Sequence, residues 1–129
     1  MNNGMGKGVT IFWLLLLAII VLGIGASFLV GTRPARLDGF AQCLKDRGAV
    51  FYGAFWCPHC QATKRLFGSS AKYLPYVECS TPDGKAQTQE CKDKGINNYP
   101  TWVFPSGESY TGEHTLAEIA SSSGCTLPQ

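Results

Sequence analysis

Cys57 and Cys60 stand two residues apart in Trp56-Cys57-Pro58-His59-Cys60, and this spacing points to redox chemistry. The motif follows an apolar run, Ala49-Val50-Phe51-Tyr52-Gly53-Ala54-Phe55, and precedes a stretch, Gln61 to Phe67, that can be helical. Where a strand ends and a helix begins, two such cysteines can close a small disulfide ring. The first sulfur then sits over the helix N-terminus, where unpaired N–H groups and the helix dipole favour an anion. A stabilised thiolate is the species that thiol–disulfide exchange requires. Cys57, nearer the helix start and the more exposed, is expected to attack or be attacked. Cys60, one turn further in, is expected to resolve the mixed disulfide.

Two other chemistries use the same spacing. A zinc site needs four ligands, usually a second CxxC-like pair or two histidines. The remaining cysteines, Cys43, Cys79, Cys91 and Cys125, have no such spacing, and the histidines are only His59, inside the motif, and His114. A purely structural bridge closing so short a loop removes little unfolded-chain entropy. Redox activity is the reading the residues favour, with no metal and no cofactor required. Pro58 fits the first turn of a helix, where its missing N–H costs nothing. His59 adds a dipole, and a positive charge when protonated, beside the Cys57 thiolate; otherwise it is a solvated loop residue. Trp56 either meets substrate or covers the apolar floor beside the sulfurs. His114 reads as a solvated turn residue.

The 129 residues leave, beyond a hydrophobic N-terminus, room for one small domain with one core. A net charge of +2 with interspersed signs gives no electrostatic case for nucleic acid. Six cysteines without a metal pattern, beside a membrane or export segment, indicate an oxidising compartment. The spacing alone does not choose among their possible pairings. Residues 9–30 carry no charge and as a helix would be about 33 Å long, enough to cross a hydrocarbon core of roughly 30 Å. The rival is a signal peptide, for which Gly23 to Ser27 supply small residues, but the apolar run continues through Phe28-Leu29-Val30 and suits a retained span. Lys7 on one side against Arg33 and Arg36 on the other slightly favours a cytoplasmic domain. The cysteine content argues for the extracytoplasmic side and is the stronger signal.

The chain is therefore divided into a polar tail (1–8), a transmembrane helix (9–30), a linker (31–36) and a redox domain (37–129). Leu37, Phe40, Ala41 and Leu44 recur at helical spacing in a first amphipathic helix ending near Gly48. Residues 49–55 read as a buried central strand, followed by the CxxC helix to near Gly68. Tyr76 to Cys79 is a second strand, Thr81-Pro82-Asp83-Gly84 a turn, and Ala86 to Lys94 a short helix stopped by Gly95. Strands 101–104 and 109–111 form a hairpin, and Thr115-Leu116-Ala117-Glu118 is a capping box opening a last helix that stops at Gly124. The order is αβαβαββα.

Phe55-Trp56-Cys57-Pro58-His59-Cys60 with Asn98-Tyr99-Pro100-Thr101 resembles a thioredoxin-fold protein, and the element order agrees with that α/β fold. Over about residues 38–124 (Gly48 to Gln61, then Tyr76-Val77-Glu78-Cys79, Glu90-Cys91, Gly95-Ile96 and Tyr99-Pro100-Thr101-Trp102) the chain is similar to the thioredoxin-like domain fused to bacterial vitamin K epoxide reductase homologues. In place of their four-helix quinone-reducing part stands a single hydrophobic segment, so quinone chemistry is not carried over. The resemblance implies a cis Tyr99–Pro100 bond exposing a backbone edge near Cys57, with Thr101 in the same motif. It implies a second disulfide, Cys79–Cys91, either structural or an electron relay, with the structural role preferred. Pro-His is also the dipeptide of strong periplasmic disulfide oxidases. Cys43 and Cys125 have no counterpart in the resemblance. Both fall near one edge of the fold, and a third bridge between them is expected because exposed free thiols are a liability in an oxidising space. The expectation is a membrane-anchored, extracytoplasmic oxidase of protein thiols that hands electrons to a membrane partner resembling the vitamin K epoxide reductase homologues. The alternatives are a membrane-tethered reductase and a non-catalytic binding module for unfolded chains.

Overall fold

The apolar run before the CxxC motif becomes the central strand of the domain, and the rest of the domain is arranged around it. A computed structural model describes residues 5–31 and 37–128, which fall into two units divided between Pro34 and Ala35. The first unit is helix α1, Met5–Gly31. Its stretch Gly6–Gly25 is long and apolar enough to cross a membrane, a property a signal sequence shares. Thr10 turns its hydroxyl back onto the Gly6 and Lys7 carbonyls, so its polar group is satisfied within the helix. The tail expected over 1–8 is shorter than that, because residues 5–8 are the first turns of α1. Gly6 and Gly8 weaken that end, but extending an existing helix costs far less than nucleating one. Of the expected linker, Gly31 ends α1, and residues 32–36 lie outside the described residues.

The second unit has four strands, β1 (Val50–Gly53), β2 (Tyr76–Glu78), β3 (Thr101–Val103) and β4 (Ser109–Thr111), in the order β2-β1-β3-β4. β1 pairs parallel with β2 and antiparallel with β3, and β3 pairs antiparallel with β4. The parallel pair is joined by α3 (Pro58–Phe67), the crossover that such strands require. Side chains alternate between the two faces of the sheet. On one face Phe51 and Trp102 stack at 4.7 Å between ring centres, within a core that includes Phe40 and Leu44 of α2 (Asp38–Asp46), Phe67 of α3 and Ile119 of α5 (Leu116–Ser123). On the other, Tyr52 packs with Cys79, Cys91 and Ile96, beside α4 (Gln89–Asp93). This is the αβαβαββα order expected, in a thioredoxin-like α/β fold.

The elements are shorter than the patterns suggested. β1 stops at Gly53 because Ala54 already accepts the Cys57 N–H in the turn to α3. The helix expected from Ala86 is α4 alone. Residues 80–87 fold back on themselves instead, with Ser80 bridged to Gln87 and Thr81 N–H donating to the Ala86 carbonyl. A 3₁₀ helix, Gly68–Tyr73, was not expected. It starts where Gly68 takes φ +55°, a conformation that favours glycine, and Ser70 then ties it to Asp38 at 2.7 Å. The capping box is present, with Thr115 Oγ1 accepting from Glu118 N–H and Glu118 Oε2 accepting from Thr115 N–H.

Two disulfides close the fold. Cys43–Cys125 joins α2 to the segment after α5 across 82 residues, and Cys79–Cys91 joins the end of β2 to α4 across 12. On chain entropy alone the long loop contributes about 4.5 kcal/mol and the short one about 3 kcal/mol. Cys43 is half-buried, whereas Cys79 and Cys91 are wholly buried. Access controls attack on a disulfide. Under native conditions, graded reductant is therefore expected to open Cys43–Cys125 well before Cys79–Cys91, read by alkylation and peptide mapping. The reverse order would contradict the burial.

Candidate active site

Cys57 is the residue that caps the N-terminus of α3, with extended backbone (φ −77°, ψ 118°), and Pro58 occupies the first turn. No side chain caps this helix end, so its leading N–H groups remain available to an anionic sulfur. Cys57 is 5% exposed and Cys60 1%, and both are free thiols. Burial pushes the Cys60 thiol up to about 12, against the lowering effect of a backbone hydrogen bond with Ala54 and, more weakly, of the Lys64 ammonium. Both sulfurs are thus buried at the start of the helix, Cys60 the more deeply and held protonated. The burial difference has the sense expected from their order in the helix.

The loop before β3 completes the site. The Tyr99–Pro100 bond is cis, as the resemblance implied, and the Cys57 thiol donates to the Tyr99 carbonyl at 3.8 Å. Pro100 offers no N–H, and its carbonyl accepts from Gly112. Thr101 Oγ1 donates to the Asn98 carbonyl at 2.8 Å and lies 3.3 Å from Thr111 Oγ1, which braces this loop against β4. Trp56 is half-exposed, donates from Nε1 to Ser80 Oγ at 2.8 Å and meets Tyr99 edge-on. With Cys79, Ser80, Gln87 and Tyr99 it lines a cavity of about 190 Å³. Both of its expected uses, contact with substrate and cover for the floor, are compatible with that position.

Sequence reasoning missed two carboxylates. His59 is exposed, and its Nδ1 lies 2.5 Å from Glu113 Oε1, a residue from the loop before α5. A pairing across 54 positions leaves no local signal in the sequence. Glu78, on β2, accepts from the Phe55 and Ser80 N–H groups through Oε1 and from the Tyr76 hydroxyl through Oε2 at 2.7 Å. The resemblance had marked Val77-Glu78-Cys79 without giving Glu78 a role. Lys64 Nζ stands 3.3 Å from the centre of the Tyr76 ring. Burial and the neighbouring Glu78 hold the Tyr76 hydroxyl protonated well beyond the usual phenol range.

The remaining predicted residues lie elsewhere. Cys79 and Cys91 pack in the cluster on the opposite sheet face from Cys57 and Cys60 and have no surface at which a thiol could attack them. His114, expected as a solvated turn residue, is partly buried: its ring lies tilted against Tyr110 and it faces the Thr111 carbonyl and Glu118.

The sequence pattern of the thioredoxin family matches residues 36–123, most of the unit that carries this site. The chain belongs to the thioredoxin family. It is 43% identical over 94 residues to the thiol-disulfide oxidoreductase LTO1 of Arabidopsis thaliana, a match that takes in 69% of this chain and 24% of that protein. The chain thus spans about a quarter of that relative's length. It is also similar to the solved thioredoxin of Malassezia sympodialis (Mala s 13), at 22% identity and a TM-score of 0.41, over 58% of this chain and 73% of that one.

One position in this family member leaves no room for change. A Cβ on Gly53 would lie 2.9 Å from Cys60 Sγ and 3.0 Å from the Tyr76 ring. Gly53→Ala must move one or the other, at an overpacking cost of about 1–3 kcal/mol. The variant is expected to lose that stability in thermal melts and to close the Cys57–Cys60 bridge more slowly than wild type. Unchanged values for both would mean that Cys60 does not need this space.

Proposed function

We propose that this chain is a membrane-anchored thiol–disulfide oxidoreductase, with its redox domain on the extracytoplasmic side, that oxidises cysteine thiols of exported proteins. The observation that carries the reading is the unequal pair at the start of α3: Cys57 beside the Tyr99 carbonyl, and Cys60 buried one turn behind it. A substrate thiolate attacks Cys57 Sγ of the closed bridge, and Cys60 leaves with the electron pair. A second substrate thiolate then attacks the substrate sulfur of the mixed disulfide, releasing the substrate as a disulfide and leaving Cys57 and Cys60 as thiols. The two electrons pass on by the same exchange to a disulfide of a membrane partner resembling the vitamin K epoxide reductase homologues. Trp56, Tyr99 and Pro100 flank the sulfur that meets the substrate, and the Tyr99 carbonyl offers an acceptor to an extended segment.

Support for the oxidising direction comes from Pro58-His59 between the cysteines and from the uncapped helix end, both of which stabilise the reduced form. Support for the compartment comes from the two further bridges, which a reducing cytosol would not keep. α1 supplies a segment fit to anchor the domain. One observation favours the reductase reading: Glu113 places a carboxylate against His59, where it would offset a positive charge on the ring. Replacing Cys57 with Ser separates either redox reading from a binding module, because binding alone needs no thiol.

The reduction potential of the Cys57–Cys60 pair is expected nearer to about −120 mV than to about −270 mV, the two ends of the range for this fold. His59→Gln should lower it. A potential at or below the lower end replaces the oxidase with the reductase.

In intact cells, after gentle reduction, a membrane-impermeant maleimide is expected to label Cys57. Labelling only after the cells are opened would put the domain in the cytoplasm.

A further inference from the structure

Residues 80–87 fold into a closed loop that stands against Trp56 and carries an ammonium without a partner. Ser80 is bridged to Gln87, the Thr81 N–H donates to the Ala86 carbonyl at 2.9 Å, and the Gly84 N–H donates to the Thr81 carbonyl at 2.8 Å. The Cys79–Cys91 bridge and the bond from the Thr88 N–H to the Cys79 carbonyl hold the base of the loop. Its tip leans on the two aromatic residues before Cys57: a Cβ on Gly84 would lie 3.6 Å from Trp56 Cδ1 and 3.7 Å from Phe55 Cζ.

Between this loop, Trp56 and Tyr99 lies the cavity of about 190 Å³. At roughly 30 Å³ for each water, that is room for the bulk of one long side chain and not for a folded segment. Trp56 precedes Cys57 in the chain, and the Tyr99 carbonyl accepts from the Cys57 thiol, so two of its walls are the neighbours of the reacting sulfur. The polar groups of the lining are unequal. Ser80 Oγ already accepts from Trp56 Nε1 and donates to the Thr81 carbonyl, and Gln87 Nε2 donates to the Ile96 carbonyl. Lys85 is the one cation of the lining, and it is exposed and in no ion pair among the described residues. Asp83, the carboxylate nearest to it in sequence, does not line the cavity: its Oδ1 accepts from Thr81 Oγ1 at 2.5 Å and from the Lys85 N–H at 3.2 Å.

Resting on the dithiol exchange proposed above, we propose that this cleft is a specificity site for the substrate chain. It takes an acidic side chain within two residues of the substrate cysteine, with the Trp56 and Tyr99 rings against its methylene stem and Lys85 against its carboxylate. A substrate segment joined through its cysteine to Cys57 passes the Tyr99 carbonyl. Extended backbone advances about 3.3 Å per residue, so the side chains next to the cysteine come within reach of the cleft. A basic side chain of the same length fills the same space but meets a like charge, and specificity is the difference between the two.

The test uses the full chain in detergent with Cys57 and Cys60 reduced. The probes are unstructured peptides whose single cysteine is capped as a mixed disulfide with thionitrobenzoate, with Glu, Ala or Lys at each of the two positions on either side. Cys57 Sγ bonds to the peptide sulfur, and the bond from that sulfur to thionitrobenzoate breaks. Thionitrobenzoate leaves with the electron pair, is reduced and is read by its absorbance, while Cys57 is oxidised to the mixed disulfide with the peptide. Each rate constant is divided by that of the same peptide with dithiothreitol, which removes the peptide's own reactivity. At one position the Glu peptide is expected to react about fivefold faster than the Lys peptide, the size that one partly exposed ion pair gained and one like-charge contact avoided would give. Lys85→Glu should bring that ratio to one or below. Lys45→Glu, the same charge change on α2, should keep it. A wild-type ratio within twofold of one at every position overturns the proposal. So does a ratio equal at all positions, or one that Lys85→Glu and Lys45→Glu lower alike, because each marks the charge of the whole domain. If Lys85→Glu does not fold, an unchanged ratio in Lys85→Gln overturns it. A chain that releases thionitrobenzoate from no peptide removes the oxidoreductase reading together with this proposal, whereas release from all of them at one rate removes this proposal alone.

Discussion

The contact between Cys60 and the bare backbone of Gly53 is the constraint on which the site depends. A side chain there would stand 2.9 Å from the sulfur, so its absence lets the first turn of α3 seat against β1. That seating buries Cys60, brings Cys57 to the helix end and sets it beside Tyr99. The same close approach packs the Tyr76 ring against the strand pair and lets Glu78 reach back to the Phe55 N–H. The site is therefore a property of how one helix meets one strand. Its precision comes from the stacked aromatic layer of Phe51, Trp102 and Phe104 beneath it.

Much of this was legible in the sequence because it is written locally. The CxxC spacing, the apolar run before it, the Tyr-Pro-Thr triplet and the Thr115–Glu118 capping box are each contained within a few residues. The Cys43–Cys125 bridge follows from what the other cysteines do. The boundaries were less legible, because hydrogen bonding rather than apolarity decides them. Ala54 and Phe55 are as apolar as the strand they follow but already belong to the turn into α3. Residues 86–88 have helical composition, yet Ala86 and Gln87 are claimed by Thr81 and Ser80.

The two carboxylates at the site were not legible for a different reason. Glu113 reaches His59 from the other end of the domain, and Glu78 faces α3 only because β2 pairs with β1 in one register. Shifting that register by one residue would send Glu78 to the opposite face, among Tyr52 and Cys91. No periodicity distinguishes the two outcomes in a strand of three residues.

The two faces of the sheet divide the cysteines by task. Tyr52, Cys79, Cys91 and Ile96 pack together on one side, where both sulfurs of the disulfide are buried. Cys57 and Cys60 lie on the other side, under α3, where Lys64 and Tyr76 stand near the sulfurs. Burial alone would keep Cys60 protonated and slow to attack, and full exposure would let it compete with Cys57 for substrate. Placing it under the helix but against Tyr76 and Lys64 satisfies both demands. Cys60 stays hidden from external thiols, and charge that develops on its sulfur still meets the field of the Lys64 ammonium. In the exchange proposed above, the order of the two thiols would follow from their depth under one helix.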